Sequence, residues 1–203
     1  KFSSLMLSVA GDNIFIALLM TMLASLILGC GLPTTAAYMV LATLAVPALT
    51  KIGVPMLAAH LFVLYFGSIS TITPPVALSA YAGAALAGAN PNKVGFRAFR
   101  FGLIAFIIPF MFVYSPPLLL EGGALFIAQG VITGCIGVLC IAICVQGYLL
   151  APASIVERIA AFAAGLLLIF SGLVTDLIGF ALFAGIIVLQ LIHKKKLTAT
   201  PAT

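Results

Sequence analysis

Two stretches of this 203-residue chain gather glycine, proline and hydroxyl-bearing residues inside otherwise apolar sequence: Gly29-Cys30-Gly31-Leu32-Pro33-Thr34-Thr35 and Ser68-Ile69-Ser70-Thr71-Ile72-Thr73-Pro74-Pro75. Residues of these types serve two kinds of chemistry. Freed backbone carbonyls and Thr hydroxyls are hard oxygen ligands for a hard cation such as sodium, with no carboxylate required. A helix that restarts after a break points its positive N-terminal end toward an anion. One isolated break of this kind is more often a proline kink whose Ser and Thr hydroxyls satisfy the freed backbone. Two breaks about 40 residues apart, each flanked by half-length helical arms, favour a binding site, because irregular backbone at membrane depth persists only where protein, ligand or a cavity satisfies it.

Other chemistries find little support. Two histidines and four acids, widely separated, supply no enzyme constellation, so the chain reads as a non-enzyme. Cys30, Cys135, Cys140 and Cys144 lie in apolar runs without a neighbouring His or carboxylate to complete a metal site, and read as small buried hydrophobes. The net charge of +5 is scattered apart from two clusters at expected membrane borders, which argues against nucleic-acid binding and for a positive-inside excess.

The elements that position these breaks are membrane helices. Apolar residues make up 64% of the chain and charged residues 6%, against about 25% charged in soluble domains, so a bilayer must solvate most of the surface. The expected class is an all-α integral membrane protein. The first break separates arms of about Asn13 to Leu28 and Ala36 to Leu49, with Thr34 or Thr35 as the N-cap of the second. At about 15 residues, roughly 22 Å each, neither arm spans alone, which predicts a re-entrant hairpin over about 13–50. The second break interrupts a helix running from Met56 to Phe66 and restarting at Val76, a broken crossing over about 54–91 with small residues from Val76 to Gly88. Simple spans are expected at 101–120 and 124–149, and further membrane helices to 193. Lys93, Arg97 and Arg100 form one basic stripe and Lys194 to Lys196 a second cluster, at the head of a basic tail over 194–203. If both are cytoplasmic, an even number of crossings separates them, so the stretch from Ile159 to His193 must break, at Ser171 to Asp176. The same parity opens the hairpin tip toward the periplasm.

The segments GCGLPTTAAYMVLA (Gly29 to Ala42), AHLFVLYFGSISTITPPVAL (Ala59 to Leu78) and AGANPNKVGFRAFRFG (Ala87 to Gly102) resemble the large membrane subunit of tripartite ATP-independent periplasmic (TRAP) transporters. GLPTTAAY and the C-terminal extension look most like the branch in which the small and large membrane subunits are fused. The likeness covers most of the chain, most strongly residues 1–120. It implies an elevator-type transporter built from two inverted repeats, each with a hairpin and a broken helix. Residues 1–120 would be the second repeat and 121–193 C-terminal helices. Because the chain opens with Lys1 and Phe2, it reads as part of a longer fused permease, with the first repeat and the small subunit upstream.

The resemblance further implies a multi-pass permease of a bacterial or archaeal cytoplasmic (inner) membrane. Sodium would be the coupling ion, with no organic cofactor, and an extracytoplasmic substrate-binding protein would deliver an organic anion such as a dicarboxylate. Carried over, the site falls on Gly29, Gly31, Pro33, Thr34 and Thr35 at the hairpin tip and on Ser70, Thr73, Pro74, Pro75 and Val76 in the broken helix. Sodium would be held by the Thr73 hydroxyl and the carbonyls of Gly29, Ser70 and Val76. Many unfused relatives carry an acid where this chain has Pro33, so no role of that acid transfers. Two rival readings are a sodium-coupled divalent-anion symporter that needs no binding protein, against which the GLPTTAAY and ITPPVAL pair argues, and a non-transporting structural subunit. His60 reads as a packing residue with one hydrogen bond, and Thr175-Asp176 as an ordinary N-cap.

Overall fold

A computed structural model of the chain describes residues 8–11, 13–170 and 172–199. Ser171 of the expected break and residues 200–203 of the expected tail lie outside them. Among the described residues the regular structure is helical, apart from one isolated antiparallel bridge between Tyr148 and Pro152. The chain divides into two compact units, Lys1–Val113 and Tyr114–Thr203.

In the first unit, α1 (Ile14–Gly29) starts where the Asn13 side chain accepts from the Ile16 N–H at 3.2 Å. It stops at extended Cys30, followed by Gly31 at φ +86°, a left-handed conformation that glycine adopts without a Cβ penalty. Helix α2 (Thr34–Leu44) corrects the expected cap. Pro33 holds the cap position with extended backbone, Thr34 and Thr35 are already helical, and no side chain caps the end. The second arm is also split, at Ala45, before α3 (Val46–Lys51). Pro47 near its start lacks the N–H that a continuous helix would need.

Helix α4 (Met56–Ile69) runs three residues past the expected stop and tightens into a 3-10 turn, Ser70–Ile72. It ends at extended Thr73 (φ −99°, ψ 122°), where Pro74 excludes the helical conformation of the preceding residue. The restart is at α5 (Leu78–Leu86) rather than Val76, because Ala77 is left-handed at φ 37°. The span expected at 101–120 begins instead at Pro91 and ends at Tyr114. Asn90 accepts from the Lys93 N–H and Pro91 occupies the first turn of α6 (Pro91–Gly102), which continues through Leu103–Phe106 into α7 (Ile108–Tyr114). The basic stripe therefore belongs to this 24-residue helix. Ser115-Pro116-Pro117 closes it.

Helices α1 and α2 both pack on α4. Ala17, Thr21, Ser25 and Gly29 form a buried stripe on α1 at four-residue spacing, which brings helix backbones close. In lipid, such close packing drives association where hydrophobic transfer cannot. On α4, Phe62 and Phe66 pack with tilted rings 4.9 Å apart and meet Phe110 edge-on at 5.2 and 6.0 Å.

In the second unit, α8 (Ala124–Gln146), α9 (Ile155–Ile169) and α10 (Leu173–Ala199) pack in sequence, α8 on α9 and α9 on α10. The expected second arm before His193 is thus one 27-residue helix that continues through the lysines. The Thr175-Asp176 cap is also corrected. The helix has begun at Leu173, and Thr175 Oγ1 donates to the Phe170 and Gly172 carbonyls at 2.7 and 2.8 Å. Asp176, buried in the first turn, accepts from Gln129 Nε2 at 2.8 Å and ties α10 to α8. All four cysteines are free. Only Cys140 is fully buried, and Cys135 is exposed, against the expectation of four buried cysteines.

The polar end of this unit is knotted around Glu157. Ser154 and Glu157 form a reciprocal capping box, with the Ser154 N–H donating to Oε2 at 2.7 Å. His193 Nδ1 lies 3.3 Å from Oε1. Gln190 Oε1 accepts the N–H groups of Leu150 and Ala151 at 3.2 and 3.0 Å. Burial pushes the Glu157 carboxyl up, but Ser154 and His193 outweigh it and hold it below the usual carboxylate range. A carboxylate whose pKa falls on folding stabilises the protein above its unfolded pKa, and that contribution is lost as pH drops through the folded pKa. The melting temperature of the detergent-solubilised chain should therefore fall as pH drops below about 4.5. Glu157→Gln should flatten that acid limb, and an unchanged limb would show that the knot is not what fails in acid.

Candidate functional site

In the first unit the two breaks meet. Gly29, the last residue of α1, lies against Ser70 so closely that a Cβ there would stand 2.5 Å from Ser70 Oγ and 3.0 Å from both Ser70 Cβ and the Gly67 carbonyl oxygen. Only a residue without a side chain fits. Gly67 in turn faces α2, where an added Cβ would touch Leu41 and Ala37 at 3.5 and 3.8 Å. The C-terminal end of α4 is thus clasped by both α1 and α2. A third link joins Tyr38 on α2 to His60 on α4, their Oη and Nδ1 being 2.9 Å apart, in line with the packing role expected for His60.

The hydroxyls along the break all donate to their own helix. Ser68 Oγ donates to the Leu64 carbonyl at 2.9 Å, Ser70 Oγ to Gly67 at 2.6 Å, Thr71 Oγ1 to Ser68 at 2.8 Å and Thr73 Oγ1 to Ile69 at 2.8 Å. A hydroxyl that has used its one hydrogen presents only lone pairs to a further partner. Pro74 and Pro75 remove the N–H groups that would reach the Ser70 and Thr71 carbonyls in a continuous helix. The Ser70 carbonyl accepts instead from the Thr73 N–H at 3.1 Å. The Gly29 carbonyl has a long bond of 3.4 Å from the Leu32 N–H. Each carbonyl keeps a second lone pair. The junction is therefore rich in oxygen acceptors, poor in donors and free of acidic residues, a donor set suited to a weakly charged hard cation.

The site residues named from the sequence fall into two groups. Gly29 and Ser70 are buried together. Thr73, Pro74 and Val76 are half-buried on the extended segment that follows. Gly31, Pro33, Thr34 and Thr35 are exposed at the turn between α1 and α2, at the positive end of α2, and Pro75 is exposed as well.

Three residues were not foreseen. Gly67 supplies the carbonyl between Gly29 and Ser70. Tyr81 Oη donates to the Pro75 carbonyl at 3.0 Å and anchors the loop to α5. Ser25 sits fully buried one turn before Gly29, and its Oγ has no partner among the described residues. The four-residue spacing of Ala17, Thr21, Ser25 and Gly29 was a visible signal for Ser25, since it marks one helix face. Nothing local singled out Gly67 or Tyr81. Among the described residues no three His, Cys, Asp or Glu side chains converge on a metal position.

Comparison with curated proteins and with solved structures finds no match. A family model described as "Tripartite ATP-independent periplasmic transporter, DctM component" matches residues 1–126, and so the chain belongs to the DctM component family of TRAP transporters, a family of membrane permeases.

Proposed function

We propose that the chain supplies half of the ion and substrate site of a sodium-coupled, binding-protein-dependent importer of organic anions such as carboxylates. The observation that carries this reading is the junction of Gly29 with Ser70, where two backbone breaks bring carbonyls and hydroxyls together without a formal charge. Sodium is held by the Thr73 hydroxyl and the carbonyls of Gly29, Ser70 and Val76, and the substrate carboxylate lies toward the positive end of α2 near Thr34 and Thr35. Family membership and the buried, unpartnered Ser25 hydroxyl support the same reading.

On this view α1 to α3 form a re-entrant hairpin and α4 with α5 a broken membrane helix, together the second inverted repeat of an elevator-type permease. The first repeat and the small subunit precede this chain in a longer fused protein. An extracytoplasmic binding protein hands over the substrate at a bacterial or archaeal cytoplasmic (inner) membrane.

The test is sodium-dependent uptake by the complete transporter in proteoliposomes. Thr73→Val removes one oxygen ligand and should raise the sodium concentration for half-maximal uptake about tenfold, near 1.4 kcal/mol. Thr73→Ser keeps both the ligand and the bond to the Ile69 carbonyl and should restore it. Unchanged sodium dependence in Thr73→Val removes Thr73 from the site. Uptake that persists without any binding protein would favour a divalent-anion symporter of the self-sufficient kind.

A further inference from the structure

The polar end of the second unit carries a second feature, beyond the matched region of residues 1–126. A cleft of about 370 Å³ is lined by Cys144, Ile155, Arg158, Ile159 and Phe162. Arg158 is fixed within it. Its Nε donates to the Cys144 carbonyl at 2.8 Å, and its guanidinium lies against Gly147, where an added Cβ would stand 3.5 Å from Cζ. With Nε so used, the two terminal amino groups of the fork remain for a further acceptor, and a guanidinium fork matches the oxygens of a phosphate.

The neighbouring acid does not neutralise this charge. Glu157 is turned inward, onto the Ser154 N–H and His193. The Glu157 to His193 contact also places Lys194 and Lys195 at the same end of the unit. Ile155, Ile159 and Phe162 line the same cleft as the guanidinium, follow one another at helical spacing, and are all exposed. A fixed cation beside an exposed apolar stripe fits a ligand with an anionic head and a hydrocarbon tail.

We propose that this cleft binds an anionic phospholipid, its phosphate on Arg158 and an acyl chain along Ile155, Ile159 and Phe162. Native mass spectrometry of the 203-residue chain in detergent tests it, with phosphatidylglycerol and phosphatidylcholine of identical acyl chains. Phosphatidylglycerol should bind about tenfold more tightly. Arg158→Gln should remove that preference, while Lys194→Gln with Lys195→Gln should keep most of it. Millimolar inorganic phosphate should leave the lipid in place.

A preference retained in Arg158→Gln overturns the site. Loss of the preference in the double lysine variant assigns binding to diffuse charge and overturns it equally. Displacement of the lipid by phosphate makes the site one for a free anion and overturns the lipid assignment. If Arg158→Gln does not fold, Ile159→Glu places a carboxylate on the exposed wall of the same cleft. Phosphatidylglycerol affinity should then fall about tenfold, and an unchanged affinity overturns the proposal.

Discussion

Gly29→Ala should abolish the proposed sodium-dependent uptake by the complete transporter, whereas Gly83→Ala should leave it intact. Both changes add one methyl group to a helical glycine, and on propensity alone each should stabilise its helix by about 0.5–1 kcal/mol. Their surroundings decide otherwise. A Cβ at Gly83 meets nothing within 4 Å. One at Gly29 meets Ser70 Oγ at 2.5 Å and the backbone oxygen of Gly67 at 3.0 Å. The Ser70 hydroxyl cannot rotate away without giving up its 2.6 Å bond to the Gly67 carbonyl, and a carbonyl inside α4 cannot retreat. Overpacking of this kind costs about 1–3 kcal/mol. Here it is relieved by parting α1 from α4, which separates the proposed ligands.

Adding Ser70→Gly to Gly29→Ala removes two of the three close atoms, so part of the thermal stability should return. Uptake should stay low, because Ser70 is part of the proposed site. Melting of the detergent-solubilised chain and uptake in proteoliposomes check the two expectations separately. Wild-type uptake in Gly29→Ala would mean that the junction is not closed during transport.

The second large effect is expected at Gly165, where α9 crosses α8. A Cβ there would lie 2.7 and 2.8 Å from the Ile141 side chain and 3.0 Å from the Gly137 carbonyl oxygen. Gly137 is constrained reciprocally, its own added Cβ lying 3.2 Å from the Gly165 carbonyl. Two glycines facing each other let the backbones approach closely, the packing that holds membrane helices together. Gly165→Ile should therefore destabilise the second unit by about 3 kcal/mol, seen as a lowered melting temperature and early aggregation on size exclusion. Ile141→Ala should rescue only part of the loss, since it vacates side-chain space but not the Gly137 carbonyl. Gly185→Ala on α10, where an added Cβ meets nothing within 4 Å, controls for the loss of a helical glycine. A Gly165→Ile protein that melts like the wild type would show that α8 and α9 do not cross this closely in detergent.

Local backbone signals placed some element boundaries and misplaced others. Thr73 was expected to leave the helix because Pro74 follows it, and it does, at ψ 122°. The end of α1 near Gly29 was read from two glycines and a proline within five residues. The helix at Pro91 was placed ten residues late, although Asn90 and Pro91 are an ordinary start signal. The charged stripe Lys93, Arg97 and Arg100 was taken as the border of a span, whereas those side chains lie along the first turns of the same helix. The Thr34 and Thr35 cap failed through a one-residue ambiguity, since Pro33 itself takes the extended conformation that a cap requires.

The sequence by itself determined that the chain lives in a bilayer, and where its backbone must break. Both follow from properties carried by single residues: the scarcity of charge, the missing N–H and fixed φ of proline, and the left-handed freedom of Gly31. Only the tertiary structure decided which breaks touch. Gly29 and Ser70 are 41 positions apart, as partners Asp176 and Gln129 are 47 apart. No local rule pairs them, because lipid solvates every apolar helix face almost equally well, and the choice falls to backbone approach and to the few polar groups that need a partner. Asp176, which looked like a cap, became a tether for that reason. Glu157 and Arg158, adjacent in sequence, were turned to opposite tasks, one inward onto His193 and the other into an open cleft.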